Sequence, residues 1–293
     1  MTVAIYGRCY KLDYLPETKI LIDTLFNYKV SVYIYAPFYK FLTNELGVNM
    51  PKYKLFSTVD ELDLPIDYML SIGGDGTFLE AAKFTICKKI PILGINLGRL
   101  GFLAQVSSNE IIMALKSLFS GKYEIESRCL LEVGGEFVSG DDIFPHALNE
   151  VSVQRNTPVM IKTTVQVNHE LLSSYWSDGL LVSTPTGSTA YSLSVGGPIV
   201  LPNSDNFIIM PIAPHNLSIR PIVISGESTI EIEIITRKGT ANISIDNRMF
   251  EVQSGTRFWI KKSAFDLRFI KLSGSSFFKA LRDKLHWGFD PRN

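Results

Sequence analysis

Gly73, Gly74, Asp75, Gly76 and Thr77 set a carboxylate inside a glycine-rich turn. An apolar run containing Tyr68, Met69, Leu70 and Ile72 leads in, and a helix-like pattern from Phe78 leads out. Glycine lets the main chain take positive φ and lets a ligand approach it closely. Successive N–H groups ahead of a helix make an anion site. Gly73, Gly74, Gly76 and Thr77 therefore read as a phosphate loop. No Gly-Lys-Ser or Gly-Lys-Thr follows and the spacing is not GxGxxG, so the loop is neither a Walker A loop nor a dinucleotide fingerprint. A carboxylate beside phosphate has two uses. It can hold Mg²⁺, or it can take the proton of an attacking hydroxyl. Both imply phosphoryl transfer to an alcohol. On these residues alone, a plain glycine turn competes with that reading.

Other segments combine similar ingredients. Pro91–Ala104 places Gly94, Gly98 and Gly101 around Asn96 and Arg99. Asn149 and Glu150 precede an alternating strand. A buried Asn–Glu pair is costly unless it is hydrogen-bonded, for example to ribose hydroxyls or an amide. The run from Ser177 to Pro198 packs small hydroxyl residues and glycines around Asp178, Thr186, Ser188, Thr189 and Tyr191, with Ala190, Ser192 and Ser194 in the same run. Small side chains leave room for a nucleotide against the backbone, although a surface loop would look similar.

Positioning these residues needs two kinds of scaffold. Through about residue 120, short apolar strands (Val3–Gly7, Val30–Ala36, Tyr68–Gly74, Ile90–Asn96) alternate with helical spacing at Thr18–Tyr28, Phe38–Leu46 and Phe78–Cys87. That alternation predicts a parallel, Rossmann-like sheet covered on both faces. A further helix is expected after a cap at Ser107 or Ser108, ending at Gly121. Beyond Tyr123 the period becomes two, as in the stretch from Ser228 to Val252, which predicts half-buried antiparallel sheet. The expected organisation is an α/β domain over 1–125 carrying the glycine loop, a β-rich nucleotide-binding domain over 126–272, and a helical tail over 273–293. The tail, with Phe278, Leu281 and Leu285 at helical spacing, is read as docking onto a domain surface.

Composition excludes several classes. Lysine plus arginine equals aspartate plus glutamate at 29 each, so the net charge is zero. No electrostatic case for nucleic acid or an acidic membrane follows. Cys9, Cys87 and Cys129 are scattered, odd in number and form no CxxC pair, which fits free thiols in a cytoplasmic protein. No apolar run approaches the roughly 18 residues of a membrane span, and the N-terminus lacks a signal-peptide pattern. His146, His169, His215 and His286 have no metal-ligand spacing and are read as ordinary residues.

Taken together, the segments resemble the NAD kinase family. The matching residues are Gly73–Thr77, Pro91–Leu103, Asn149–Val151 and Asp178–Tyr191, and the resemblance runs from about Tyr68 to Pro214. It implies an α/β N-terminal domain, a C-terminal β-sandwich, and transfer of the ATP γ-phosphoryl group to the 2′-hydroxyl of the adenosine ribose of NAD. Mg²⁺ or another divalent metal would travel with the ATP phosphates, with Asp75 as its one candidate side-chain contact. ATP is the expected donor, with polyphosphate left open. By resemblance Asp75 is the general base and Gly76 lies against the nucleotide. Asn149 and Glu150 bind ribose hydroxyls, and Asp178 reads the nicotinamide end. Thr189, Ala190 and Tyr191 contact adenine and nicotinamide, partly across subunits of a dimer or tetramer. Thr186, Ser188, Ser192 and Ser194 belong to the same segment, and Ala213 lines the pocket. Two positions depart from the family pattern. Asp246, Asn247 and Arg248 replace a common Asp-Gly-Gln string. Trp176 stands where some relatives carry a basic residue, which leaves the affinity for a phosphorylated product open. Rival readings are another kinase with a GGDG loop, acting on diacylglycerol, sphingosine or fructose 6-phosphate, and a dinucleotide sensor without chemistry. The Asn–Glu pair argues against the first and the presence of Asp75 against the second.

Overall fold

The computed structural model describes residues 1–8, 14–47, 53–98, 101–138, 140, 143–237 and 239–288. Cys9 and Arg99 lie outside the described residues. The chain divides into two compact units, residues 1–127 with 267–293, and residues 128–266.

The first unit is a doubly wound α/β layer. Its elements are β1 (Thr2–Gly7), α1 (Leu15–Asn27), β2 (Ser31–Tyr35), α2 (Ala36–Leu46), β3 (Tyr53–Phe56), β4 (Tyr68–Ile72), α3 (Asp75–Ala82), β5 (Ile92–Asn96) and α4 (Ile111–Phe119). The strands pair in parallel in the order β3-β2-β1-β4-β5, and Phe269 pairs with Ile92 beyond β5. β1 and β4 meet where the winding reverses, the place at which open α/β sheets bind ligands beyond their carboxyl ends. Apolar residues decide the layering. Leu21, Ile22 and Leu25 of α1, Phe38 and Leu42 of α2, and Leu115 and Leu118 of α4 share one core with Ile5, Leu70 and Ile95 of the sheet. Each such burial contributes roughly 1.5–3 kcal/mol. Phe78 of α3 is fully buried and its ring lies 5.8 Å from that of Phe269.

Helix α3 begins three residues earlier than the sequence pattern suggests and ends at Ala82 rather than Cys87. Gly74 is the N-cap, and its carbonyl accepts from Thr77 and Phe78 at 3.0 and 3.1 Å. Asp75 and Gly76 are therefore in the first helical turn. The expected serine cap is Ser107, which forms a capping box with Glu110 in a single 3₁₀ turn before α4. The tail is helical over Phe277–Leu285, capped by Ser276 and anchored by buried Leu281.

The second unit is all-β apart from single helical turns. One sheet has its strands in the order Ile222–Ser225, Asn206–Ile212, Gly179–Ser183, Glu150–Arg155, Ala241–Ile245 and Arg248–Val252, all antiparallel. A second antiparallel layer contains Glu170–Ser177, Ile161–Val167, Ile230–Ile235 and the first part of Arg257–Leu272. Val151, Leu180 and Ile243 of one layer share a core with Val165, Ile232 and Ile260 of the other. The alternation of period two places one face of each strand in that core. The result is the expected sandwich.

Candidate active site

In the first unit, the glycine loop turns from β4 into α3 at the carboxyl edge of the sheet. Gly73 has φ +145, and a Cβ there would stand 2.5 Å from Thr77 Oγ1, so this position requires glycine. Nothing stands within 4 Å of a Cβ built on Gly74 or Gly76, so a ligand can approach that backbone. The Asp75 carboxylate is the hub. Its Oδ2 accepts the Phe102 N–H at 2.7 Å, and its Oδ1 accepts those of Leu103 and Ala104 at 3.0 and 2.9 Å. Gly101 lets this segment wrap so closely, because its Cβ would fall 1.9 Å from Asp75 Oδ1. A carboxylate offers about four lone-pair sites. Among the described residues three are engaged, and the remaining one is on Oδ2. The glycines at 94, 98 and 101 thus join the loop as its second wall. Gly98 N–H donates to Asn96 Oδ1 at 2.7 Å, and a Cβ on Gly94 would meet Ala104 Cα at 2.6 Å.

In the second unit, three segments converge on Asn149 and Glu150. Thr184 N–H and Ser183 Oγ donate to the Asn149 carbonyl at 2.9 and 3.3 Å, and Thr184 Oγ1 donates to Leu148 O at 2.6 Å. Gly187 presses on the same carbonyl, since a Cβ there would stand 2.1 Å from it. The Asp246 carboxylate accepts the N–H groups of Leu148, Asn149 and Glu150 at 2.9, 2.8 and 3.2 Å. Asp246 and Asn247 form the two-residue connection of a hairpin in which Ile245 pairs with Arg248. Asp246 takes φ +50, which such turns require. Arg248 completes the corner by donating to Ile245 O, Phe144 O and His146 O. The sequence left this tripeptide without a role; in the fold Asp246 is the member that binds the backbone of the Asn–Glu segment. His146 packs against Phe144 and Phe265 and is pushed down to about 4 by burial and by Arg248.

Asn149 is buried, and Glu150 Oε2 and Thr186 Oγ1 are buried with no hydrogen-bond partner among the described residues. Such orphaned atoms are costly unless a ligand satisfies them. Burial raises the Glu150 carboxyl to about 8, the Asp246 charge adds to this, and the Tyr191 N–H opposes it. Between the ordinary value of 4.5 and about 8, the folded carboxyl keeps a proton that the unfolded one has lost. Stability contributed by Glu150 therefore falls as pH rises through that window and is fully lost above it. The difference in Tm between Glu150→Gln and the wild-type protein should move in favour of the variant between about pH 5 and about pH 9. Calorimetry across that range checks it, and a pH-independent difference would contradict the burial argument.

Of the other expected pocket residues, the run that begins at Thr186 follows the strand end at which Ser183 pairs with Glu150, whereas Asp178 and Ala213 lie at the opposite end of that strand, where Gly179 pairs with Gln154 and Ile212. Ser188 Oγ donates to Val200 O at 3.2 Å and accepts its N–H at 3.0 Å, and Thr189 Oγ1 bonds Thr186 O at 3.3 Å. Ala190 N–H donates to Gly187 O, leading into the short helix Tyr191–Ser194, in which Ser192 is buried and Ser194 exposed. Asp178 is held by Arg155, with Nε to Oδ1 at 2.8 Å and a second bond to Oδ2 at 3.0 Å. Sequence reading missed Arg155, whose only signal was its place at the end of the strand that begins at Glu150. Trp176 carries the Arg237 guanidinium over its ring at 5.1 Å, so a cation stands beside the position where the sequence lacked one. Ala213 is exposed at φ +46, a conformation uncommon outside glycine and asparagine.

Comparison with known proteins places both halves. The model described as the ATP-NAD kinase N-terminal domain matches residues 32–123, and that described as the ATP-NAD kinase C-terminal domain matches 148–272. An NAD kinase of Christiangramia forsetii is 40% identical over 295 residues, covering 100% of each chain. The structure of an NAD kinase from Archaeoglobus fulgidus in complex with ATP superposes with a TM-score of 0.74 at 26% identity, covering 98% of each chain. The yeast NADH kinase complexed with NADH shares the fold, with a TM-score of 0.88 at 22% identity over 99% of this chain and 89% of that one.

Proposed function

The chain belongs to the NAD kinase family, whose enzymes phosphorylate NAD to NADP with ATP, and from that premise we propose that Asp75 is the general base of this transfer. The acceptor oxygen is the 2′-hydroxyl of the adenosine ribose. It attacks the γ-phosphorus, the bond to the β,γ-bridging oxygen breaks, and ADP leaves. The hydroxyl proton passes to Asp75. An alcohol holds its proton far more tightly than a carboxylic acid, so this transfer comes late, once the new P–O bond has formed. The observation that carries the proposal is the hydrogen bonding of Asp75: three N–H groups fix the carboxylate and, among the described residues, leave one lone pair, on Oδ2.

Gly73, Gly74, Gly76 and Thr77 are assigned to the phosphates, through backbone N–H groups at the start of α3. Among the described residues no group of three or more His, Cys, Asp or Glu is placed to hold a metal. A divalent cation such as Mg²⁺ is assigned to the ATP phosphates, with Asp75 Oδ2 as its one candidate protein contact, the alternative use of the same lone pair. When bound, it would offset the phosphate charge.

Asn149 and Glu150 are assigned to ribose hydroxyls, for which the partnerless Glu150 Oε2 is a ready group. Thr186, Ser188, Thr189, Ala190, Tyr191, Ser192, Ser194 and Ala213 are assigned to the walls around the dinucleotide. Asp178 takes the nicotinamide amide while Arg155 fixes its orientation. Self-association belongs to the same reading: Leu217 and Val223 are 85% and 48% exposed, and Val223 lies on the edge strand Ile222–Ser225. The scattered cysteines fit a cytoplasmic site of action, and no described helix is long and apolar enough to cross a membrane.

The test is ATP consumption with NAD, diacylglycerol or fructose 6-phosphate offered side by side, together with NADP formation from NAD using ATP or polyphosphate. NAD-dependent consumption that yields NADP is expected. Consumption with another acceptor and none with NAD would overturn the reading.

A further inference from the structure

The C-terminal helix Phe277–Leu285 carries two cations in its last turn, Arg282 and Lys284. Cations there ordinarily serve the helix dipole from solvent. Arg282 is exposed and fits that role. Lys284 does not. Its Nζ is buried with no hydrogen-bond partner among the described residues and lies 4.4 Å from the centroid of the Phe102 ring. The same Phe102 gives its N–H to Asp75 Oδ2. The helix is held there by buried Leu281 and by Phe277, whose ring stands 6.5 Å from that of Phe102. Burial lowers the Lys284 amine to about 8, and the charges of Asp75 and Asp283 act the other way.

An ammonium group buried without a partner is costly, and a cation–π contact repays only part of that cost. The glycine loop, for its part, has no cation of its own between Gly73 and Thr77. Arg8 and Lys83 are both engaged by Glu80, at 3.5 and 2.9 Å. Lys284 also lines a cavity of about 440 Å³ with Ser276 and Lys279, which leaves its side chain room to turn when a phosphate is offered.

We infer that Lys284 is a phosphate-binding residue, whose ammonium group pairs with the phosphate chain of the ATP held at the glycine loop. The helix is then part of the donor site as well as a docking element. This rests on the functional reading above for the place of ATP. A charge-assisted bond of this kind is worth about 1.5–3 kcal/mol, so Lys284→Met should weaken ATP binding about tenfold or more. Lys284→Arg should restore most of it, and the affinity for NAD should stay within about twofold in both variants. Titration calorimetry with ATP and with NAD reads this. Equal losses for both ligands, or no recovery with arginine, would make Lys284 a latch for the Phe102 segment and overturn the proposal. Wild-type protein supplies a second measurement that does not depend on variant folding. Acetic anhydride reaches the buried Nζ only when the helix end opens, so under limiting reagent ATP should slow acetylation of Lys284 further, read by peptide mass spectrometry, and NAD should not. Unchanged labelling with ATP would also overturn the proposal. Protection of Lys284 by ATP with no NADP formed from NAD would instead remove the assigned activity and leave this phosphate site standing.

Discussion

Asp75→Asn loses at least about 10²-fold in turnover while still binding NAD, the scale expected for removal of a general base. The substitution is close to isosteric, but it has a structural side. Asparagine keeps one oxygen for the Leu103 and Ala104 N–H groups and turns an NH₂ toward the Phe102 N–H, which now bonds Oδ2. Two donors facing each other cost about 1–3 kcal/mol, so a lower Tm accompanies the lost turnover. The two effects separate in one experiment. Gly101→Ala crowds the same carboxylate, with its Cβ built 1.9 Å from Oδ1, and leaves the base chemically intact. If Asp75→Asn falls no further in turnover than Gly101→Ala at matched Tm, Asp75 is only a clamp for the segment 101–104. Steady-state rates, NAD titration and thermal unfolding of both variants decide the point.

Asp246→Ala is expected to be the most destabilising single change in the second unit. Asp246 is half-buried, and desolvation pushes its carboxyl upward against the three N–H groups and Arg248, which pull it down. Deleting it strands the N–H groups of Leu148, Asn149 and Glu150 together. At about 1–3 kcal/mol for each stranded donor, a loss of about 3 kcal/mol or more follows. Asp246→Asn retains one acceptor oxygen and lies between. NAD affinity falls along the same series, because Asn149 and Glu150 lose the anchor of their backbone. Urea unfolding and NAD titration of the two variants measure both quantities. Wild-type stability with weakened NAD binding would instead place Asp246 in contact with the ligand.

The residue types and spacings determined the broad outline. Continuous apolar strands between helices can only be buried on both faces, so the parallel sheet was legible, as was the change to period two after Tyr123. The glycine turn between a strand and a helix was legible as local structure, but its use was not, because glycine turns with aspartate also occur without a ligand. Less local features were hidden. The strand Tyr53–Phe56 is largely exposed and carries little hydrophobic signal. The true start of α3 was masked by Gly76, a poor helix former that tolerates the first turn once Gly74 caps it.

Tertiary structure decided the partners of the charges. Nothing local ties Asp75 to the N–H groups at 102–104, Arg155 to Asp178, or Asp246 to a segment almost a hundred residues earlier in the chain. Each pairing is created by strand order, which brings residues distant in sequence to one sheet end. Lys284 shows the difference most plainly. In sequence it is one of two cations closing an amphipathic helix. In the fold, the packing of Phe277 and Leu281 takes its ammonium group out of water and sets it one ring away from the carboxylate in the glycine loop.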